Sequence, residues 1–139
     1  MPPISAIDQD DDIEPELDDQ ERERLRTELL RTRDDVSSRS RERAREALAE
    51  SSAGGDDADQ ASSSSTQAFD LRLAEKDRKL LELIDHALEK FASDTYGLCE
   101  GTGDPIAVAR LRLRPWARFS VDHKQRLERD RAMHEDALE

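Results

Sequence analysis

Residues Tyr96 to Lys124 read YGLCEGTGDPIAVARLRLRPWARFSVDHK, and four positions in this stretch decide how the end of the chain folds. A four-ligand structural zinc site needs two knuckles, C-x-x-C and C-x-x-C, separated by about 15 to 20 residues. The slots here hold Cys99, Thr102, Ser120 and His123. Only the thiol and the imidazole bind zinc well, and two ligands do not close a tetrahedral site. The expectation is a degenerate zinc-finger-like domain with no metal. Gly101 and Gly103 permit unusual backbone angles in a turn from Thr102 to Pro105. Ile106, Val108, Leu111, Leu113, Trp116 and Phe119 supply the apolar mass that would replace the metal, at about 1.5–3 kcal/mol per large side chain. Thr102 and Ser120 are expected to bridge the knuckles by hydrogen bonds worth roughly 1 kcal/mol each.

Working outward, Ser120 stands where an N-cap starts a final helix from Val121 to about Ala137, with Asp122 favourable in its first turn. Upstream, Gln67 to Ala92 carries Leu73, Leu80, Ile84, Ala87 and Phe91 at near-heptad spacing, widened by Leu81 and Leu88. From Pro15 or Glu16 to about Glu50 the chain has neither an internal proline nor a glycine, and Leu, Glu, Arg and Ala dominate. That predicts a long helix, on the order of 50 Å. Its stripe of Leu25, Leu29, Thr32, Val36 and Arg43 weakens into Ala44, Ala47 and Leu48, so it needs a partner helix. Gly54 and Gly55 break the pattern. The following DDADQASSSST reads by composition as a linker, leaving the second helix to start either near Asp59 or near Gln67; the earlier start is preferred.

The fold class is therefore mainly α: a long antiparallel helical hairpin, or coiled coil, with a small zinc-finger-like globular domain and a C-terminal helix. The expected divisions are an acidic disordered tail over 1–14, the hairpin over 15–92 with its tip near 54–61, the globular domain over 93–120 and the last helix over 121–139. Composition agrees with this shape. A chain of 139 residues that is 40% charged and 4% aromatic has too little apolar material for one large core. No apolar run approaches the roughly 20 residues of a membrane span, and MPPISAIDQDDD has no signal-peptide pattern. A cytoplasmic protein is expected, and its single cysteine agrees with a reducing compartment. The net charge of -12 argues against direct DNA binding, which needs a basic face.

Taken together, the YGLC run, TGDPI, the RLRLRPWARF segment and the second knuckle resemble the C-terminal domain of the DksA/TraR family of bacterial RNA-polymerase regulators. Asp56, Asp59 and Ala61 reproduce that family's D-x-x-D-x-A signature at the coiled-coil tip, and the spacing from Ala61 to Lys79 also fits. The resemblance covers roughly residues 20 to 139. It implies a monomeric regulator, not an enzyme, that binds RNA polymerase. The coiled coil would enter the polymerase secondary channel and place Asp59, Ala61 and Asp56 near the active centre, modulating promoter-complex stability and initiation. It also implies guanosine tetraphosphate as a co-effector held by Lys79, Arg114 and Lys124, with Arg72 and Lys76 supporting docking. Leu83 departs from the pattern where the family has a lysine, removing a contact typically worth about 1.5–3 kcal/mol.

Two other readings stay open from the residues. A structural or adaptor coiled coil would have no use for Asp59 and Ala61, and a transcript-cleavage accessory would use the tip carboxylates on magnesium. Arg110, Arg112, Arg114 and Arg118 alternate with Val108, Leu111, Leu113 and Trp116, suggesting a buried and an exposed face. Their charge serves docking on polymerase or on an anionic ligand, or pairs within the acidic chain. Cys99 and His123 read as a structural remnant, or else as a redox-sensitive thiol or a shared adventitious metal pair. His86 and His134 read as surface histidines. No nucleophile, base and orienting acid fall in an enzymatic pattern.

Overall fold

The computed structural model describes residues 16–52 and 57–138. The acidic tail expected over 1–14 and Asp56 of the tip signature lie outside the described residues. Helix α1 spans Asp19–Ser52 and α2 spans Asp57–Ala92. At 1.5 Å per residue these are rods of about 51 and 54 Å. The first begins a little later than proline punctuation suggests because Asp18 caps it: the Asp18 carboxylate accepts the Glu21 N–H at 2.7 Å, filling one of the open donors of the first turn. The second takes the earlier of the two starts. Ser62 to Ser65 lie inside it, so the serine run is helix rather than the linker its composition suggests.

The two helices pack antiparallel. From the Arg33–Asp85 pair to the Arg43–Asp77 pair, α1 advances while α2 retreats. At the base of the hairpin, Leu25 and Leu29 of α1 meet Ile84 and Ala87 of α2, and the cluster continues into the globular end through Tyr96, Cys99, Ile106 and Leu111. One core thus serves both parts. Leu17, Leu80, Leu88, Phe91, Trp116 and Phe119 pack around it, half-buried. Leu48, expected to extend the α1 stripe, is 71% exposed.

Helix α2 ends in a left-handed residue, Asp94 at φ 58°, while Thr95 donates back to the Lys90 carbonyl at 2.9 Å. This closes the helix much as a glycine would. The chain then turns at Gly97, φ 87°, against which the Leu17 side chain packs; a Cβ there would sit 2.5 Å from Leu17 Cδ2. Tyr96 stacks on Phe91 with ring centroids 3.9 Å apart and donates its hydroxyl to the Pro115 carbonyl at 2.9 Å.

The segment after Pro105 differs from the alternating reading. It is a short helix, α3, Val108–Leu113, burying Val108 and Leu111. Those two residues are three apart, one helical turn. Leu113 is 82% exposed, so it contributes nothing to the core that was to replace the metal. Trp116 and Phe119 stand at the rim; Tyr96, Cys99, Ile106 and Leu111 make the centre, with Val108 also buried. The last helix, α4, spans Val121–Leu138.

Candidate functional site

The four knuckle slots converge. The first knuckle is a tight turn in which Cys99 N–H donates to the Asp104 carbonyl at 2.7 Å and Gly103 N–H donates to the Cys99 carbonyl at 2.8 Å. Gly103 needs φ 78°, as its place in the turn suggests, whereas Gly101 serves by close approach. A Cβ on Gly101 would lie 1.9 Å from His123 Nε2. The His123 ring therefore lies directly on the first knuckle, tilted 43° to Phe119 with ring centroids 5.3 Å apart. Its Nδ1 is buried with no hydrogen-bond partner among the described residues. Ser120 accepts the His123 N–H at 3.3 Å and caps α4 as its position suggests.

Cys99 is 2% exposed. Burial pushes its thiol up, but hydrogen bonds outweigh burial: the Thr102 hydroxyl, the Ser120 backbone, the Gly101 backbone and the Ser120 side chain bring it from the ordinary 9.0 down to about 6. Hydroxyls thus stand around the sulfur where two further ligands would be required. One thiol, one imidazole and two hydroxyls do not furnish four nitrogen or sulfur donors for a closed zinc site. Among the described residues no three His, Cys, Asp or Glu side chains gather where they would hold a metal ion.

The depressed thiol links pH to folding. The stabilisation is fully present above the unfolded thiol's pKa and is lost as pH falls through about 6. Wild type is expected to gain stability over Cys99→Ser between those limits, by up to about 1.4 kcal/mol per pH unit. Urea unfolding of both proteins from pH 5.5 to 9 checks this, and a pH-independent difference would sink it.

Around this turn, charges tie the globular end to both helices. Glu100 accepts from His86 Nε2 of α2 and, at 2.6 Å, from Arg118 Nε, with Lys90 Nζ at 3.7 Å. Burial acts to raise the Glu100 pKa, but the hydrogen bonds from His86 and Arg118 win and hold it below the usual value. Arg112 Nε donates to buried Glu21 at 2.7 Å, and Arg22 meets Asp94 at 3.3 Å. The arginine cluster is thus largely internal wiring, with Arg110 donating to the Phe119 carbonyl at 2.9 Å. His86 has a defined partner, whereas His134 is exposed.

The docking candidates fall in two groups. Arg72, Lys76 and Lys79 recur at one-turn intervals on α2 and are exposed, which puts them on one face. Arg114 is exposed at the end of α3, and Lys124 is half-buried in the first turn of α4. Asp59 and Ala61 fall in the first two turns of α2, at the far end of the hairpin from this domain. Sequence reasoning missed Asp77, which is 5% exposed. The signal was present: residue 77 is the heptad position skipped between Leu73 and Leu80.

Comparison with known proteins fits this architecture. The family described as DnaK suppressor protein DksA, N-terminal domain, matches residues 16–91, and the prokaryotic dksA/traR C4-type zinc finger matches residues 94–129. The chain belongs to the DksA/TraR family. An RNA polymerase-binding transcription factor DksA from Caulobacter vibrioides is 38% identical over 123 residues, covering 88% of this chain and 87% of the relative. The solved structure of transcription factor DksA2 from Pseudomonas aeruginosa superposes with TM-score 0.77 at 36% identity, covering 85% of this chain and 93% of that one. The RNA polymerase binding protein and transcriptional regulator Dks from Chlamydia trachomatis gives TM-score 0.52 at 26% identity, with 83% of this chain and 95% of that one covered. Within the DksA/TraR family this chain matches a C4-type finger while keeping one of the four cysteines.

Proposed function

We propose that this protein is a transcription regulator that binds RNA polymerase, inserting its helical hairpin into the secondary channel so that the tip acts near the active centre. The observation that carries the reading is the hairpin itself. Two helices of about 50 Å, with the D-x-x-D-x-A signature where the second begins, make a rod slender enough for a deep channel. Relatives named for polymerase binding support the partner. In this reading residues 15–92 form the rod with its tip near 54–61, residues 93–120 the docking body and residues 121–139 the terminal helix.

Asp59 and Ala61, with Asp56, modulate promoter complexes, while Arg72, Lys76, Lys79, Arg114 and Lys124 dock the body. Guanosine tetraphosphate is a co-effector with one charge contact fewer, because Leu83 offers no cation. No catalysis is assigned to the chain. It works as a metal-free monomer in the cytoplasm, without reading DNA sequence: the hydrogen bonds to Cys99 and the core at Leu111 support the fold where the family's finger uses zinc. That no described helix is long and apolar enough to cross a membrane is compatible with this placement.

The test is binding to core polymerase and inhibition of a ribosomal-RNA promoter, with chelator present throughout. Wild type should bind and inhibit. Asp59→Asn should bind within about threefold of wild type but inhibit at least about tenfold less, a difference of roughly 1.4 kcal/mol at the tip. Failure of wild type to bind would remove the polymerase assignment.

A further inference from the structure

Asp77 is a carboxylate on the inner side of a helix, 5% exposed, and each of its oxygens is taken by a different arginine. Arg43 Nη1 reaches one at 2.8 Å and Arg39 Nη2 the other at 3.3 Å. The two arginines lie one turn apart on α1, so the carboxylate is held between successive turns of the opposite helix. Arg43 is itself mostly covered, at 20% side-chain exposure.

The position of this clasp matters. On the body side of it the seam is apolar, through Leu25, Leu29, Val36, Ile84 and Ala87. On the tip side Leu73 is only half-buried, and Ala44, Ala47 and Ala74 line an open groove of about 340 Å³ with Arg43, Asp70 and Leu71, the last 70% exposed. An open groove with small and half-buried side chains buries little area and interlocks weakly, so this stretch of the seam does little to choose one alignment over another. A buried ion pair behaves oppositely: it adds little net stability because both partners lose water, yet it strongly penalises any alignment that leaves the charge unpaired. Sliding α1 by one turn would put Asp77 beside only one of its arginines.

We propose that Asp77, clasped by Arg39 and Arg43, is a positioning residue: it fixes the register of the two helices midway along the hairpin and thereby aims the tip. The clasp stands on the geometry alone, and only its consequence for transcription rests on the polymerase reading above. The lever is long. Asp59 lies about 27 Å along α2 from Asp77, so a swing of about 10° at the clasp displaces it by about 5 Å. A displacement of that size is enough to undo a contact at an active centre.

Asp77→Leu combined with Arg39→Met and Arg43→Met separates positioning from stability, because replacing the whole charge cluster by apolar residues of similar volume leaves neither a cavity nor an unpaired guanidinium. Its melting temperature should equal or exceed that of wild type. Spin labels carried on noncanonical side chains at Glu46 and Arg72, exposed positions on the two helices of the tip-side half, should report a single narrow distance in wild type. In this triple variant that distribution should broaden by about 5 Å, one helical turn. Promoter inhibition by the unlabelled variant should fall about tenfold while polymerase affinity stays within about threefold. Reversing all three charges, with Arg39→Glu, Arg43→Glu and Asp77→Arg together, should restore both the narrow distance and inhibition.

A distribution as narrow as that of wild type overturns the clasp. A broadened distribution with unchanged inhibition overturns its role in aiming the tip, as does a loss of inhibition matched by an equal loss of affinity. If wild type does not bind polymerase, the distance measurement still decides the clasp, so the two readings fail separately.

Discussion

Leu111→Ala should cost about 3 kcal/mol of folding stability, within the range for emptying a fully enclosed leucine site. Leu111 is 0% exposed and sits where α3 closes over the junction, its Cδ1 within 3.8 Å of the Cβ position of Gly97. It shares the core with Leu25 and Leu29 from the start of α1 and with Tyr96 from the first knuckle. The cavity would open between three separately anchored segments, so little relaxation is available to fill it. Urea unfolding followed by circular dichroism should show the midpoint moving with an unchanged slope. Leu113→Ala, two residues on and 82% exposed, is the control and should change stability by less than about 0.5 kcal/mol. Equal losses at the two positions would mean that α3 presents a different face to the core.

Gly101→Ala is the next largest expected effect. The new methyl would meet the His123 ring at 1.9 Å from Nε2, so the ring must leave the knuckle. Nδ1 of that ring is buried without a partner, and the ring also lies against Phe119, so its movement disturbs the first turn of α4. Overpacking of this kind costs about 1–3 kcal/mol. The origin can be isolated by combining Gly101→Ala with His123→Ala. If the ring is the obstacle, the double variant should lose at least about 1 kcal/mol less than the sum of the two single losses. Additive losses would place the strain in the Gly101 backbone instead.

The helices were legible in the sequence because leucine and isoleucine spacing reports burial directly. Leu25, Leu29, Val36, Ile84 and Ala87, all named from periodicity, are buried. The start of α2 was harder, since serine weakens a helix only slightly and composition cannot tell a serine-rich helix from a serine-rich linker. At RLRLR, alternation of charge and leucine suggested two faces, while the three-residue step from Val108 to Leu111 carried the helical answer. In the knuckles, spacing located all four positions, yet it contained nothing about hydroxyls donating to the Cys99 sulfur. Asp77 escaped because a charged residue in a heptad reads as an interruption until its two arginine partners are placed across from it. The arginines of the globular end were legible as charge but not as contacts, because Glu21 and Glu100 reach them from distant parts of the chain.

Helix α2 runs without glycine or proline from Asp57 to Ala92 and passes into the knuckle through a closed turn at Asp94. Its residue count is therefore a ruler. How far the tip stands from the globular end is set by the number of peptide units between them, each adding about 1.5 Å. Removing one turn from each helix would shorten the reach by about 5 Å while keeping both faces nearly in phase, whereas removing two residues would turn the tip roughly half-way round the axis. If the tip works inside a channel, as proposed above, the number of residues along this helix sets its depth there to within a single turn.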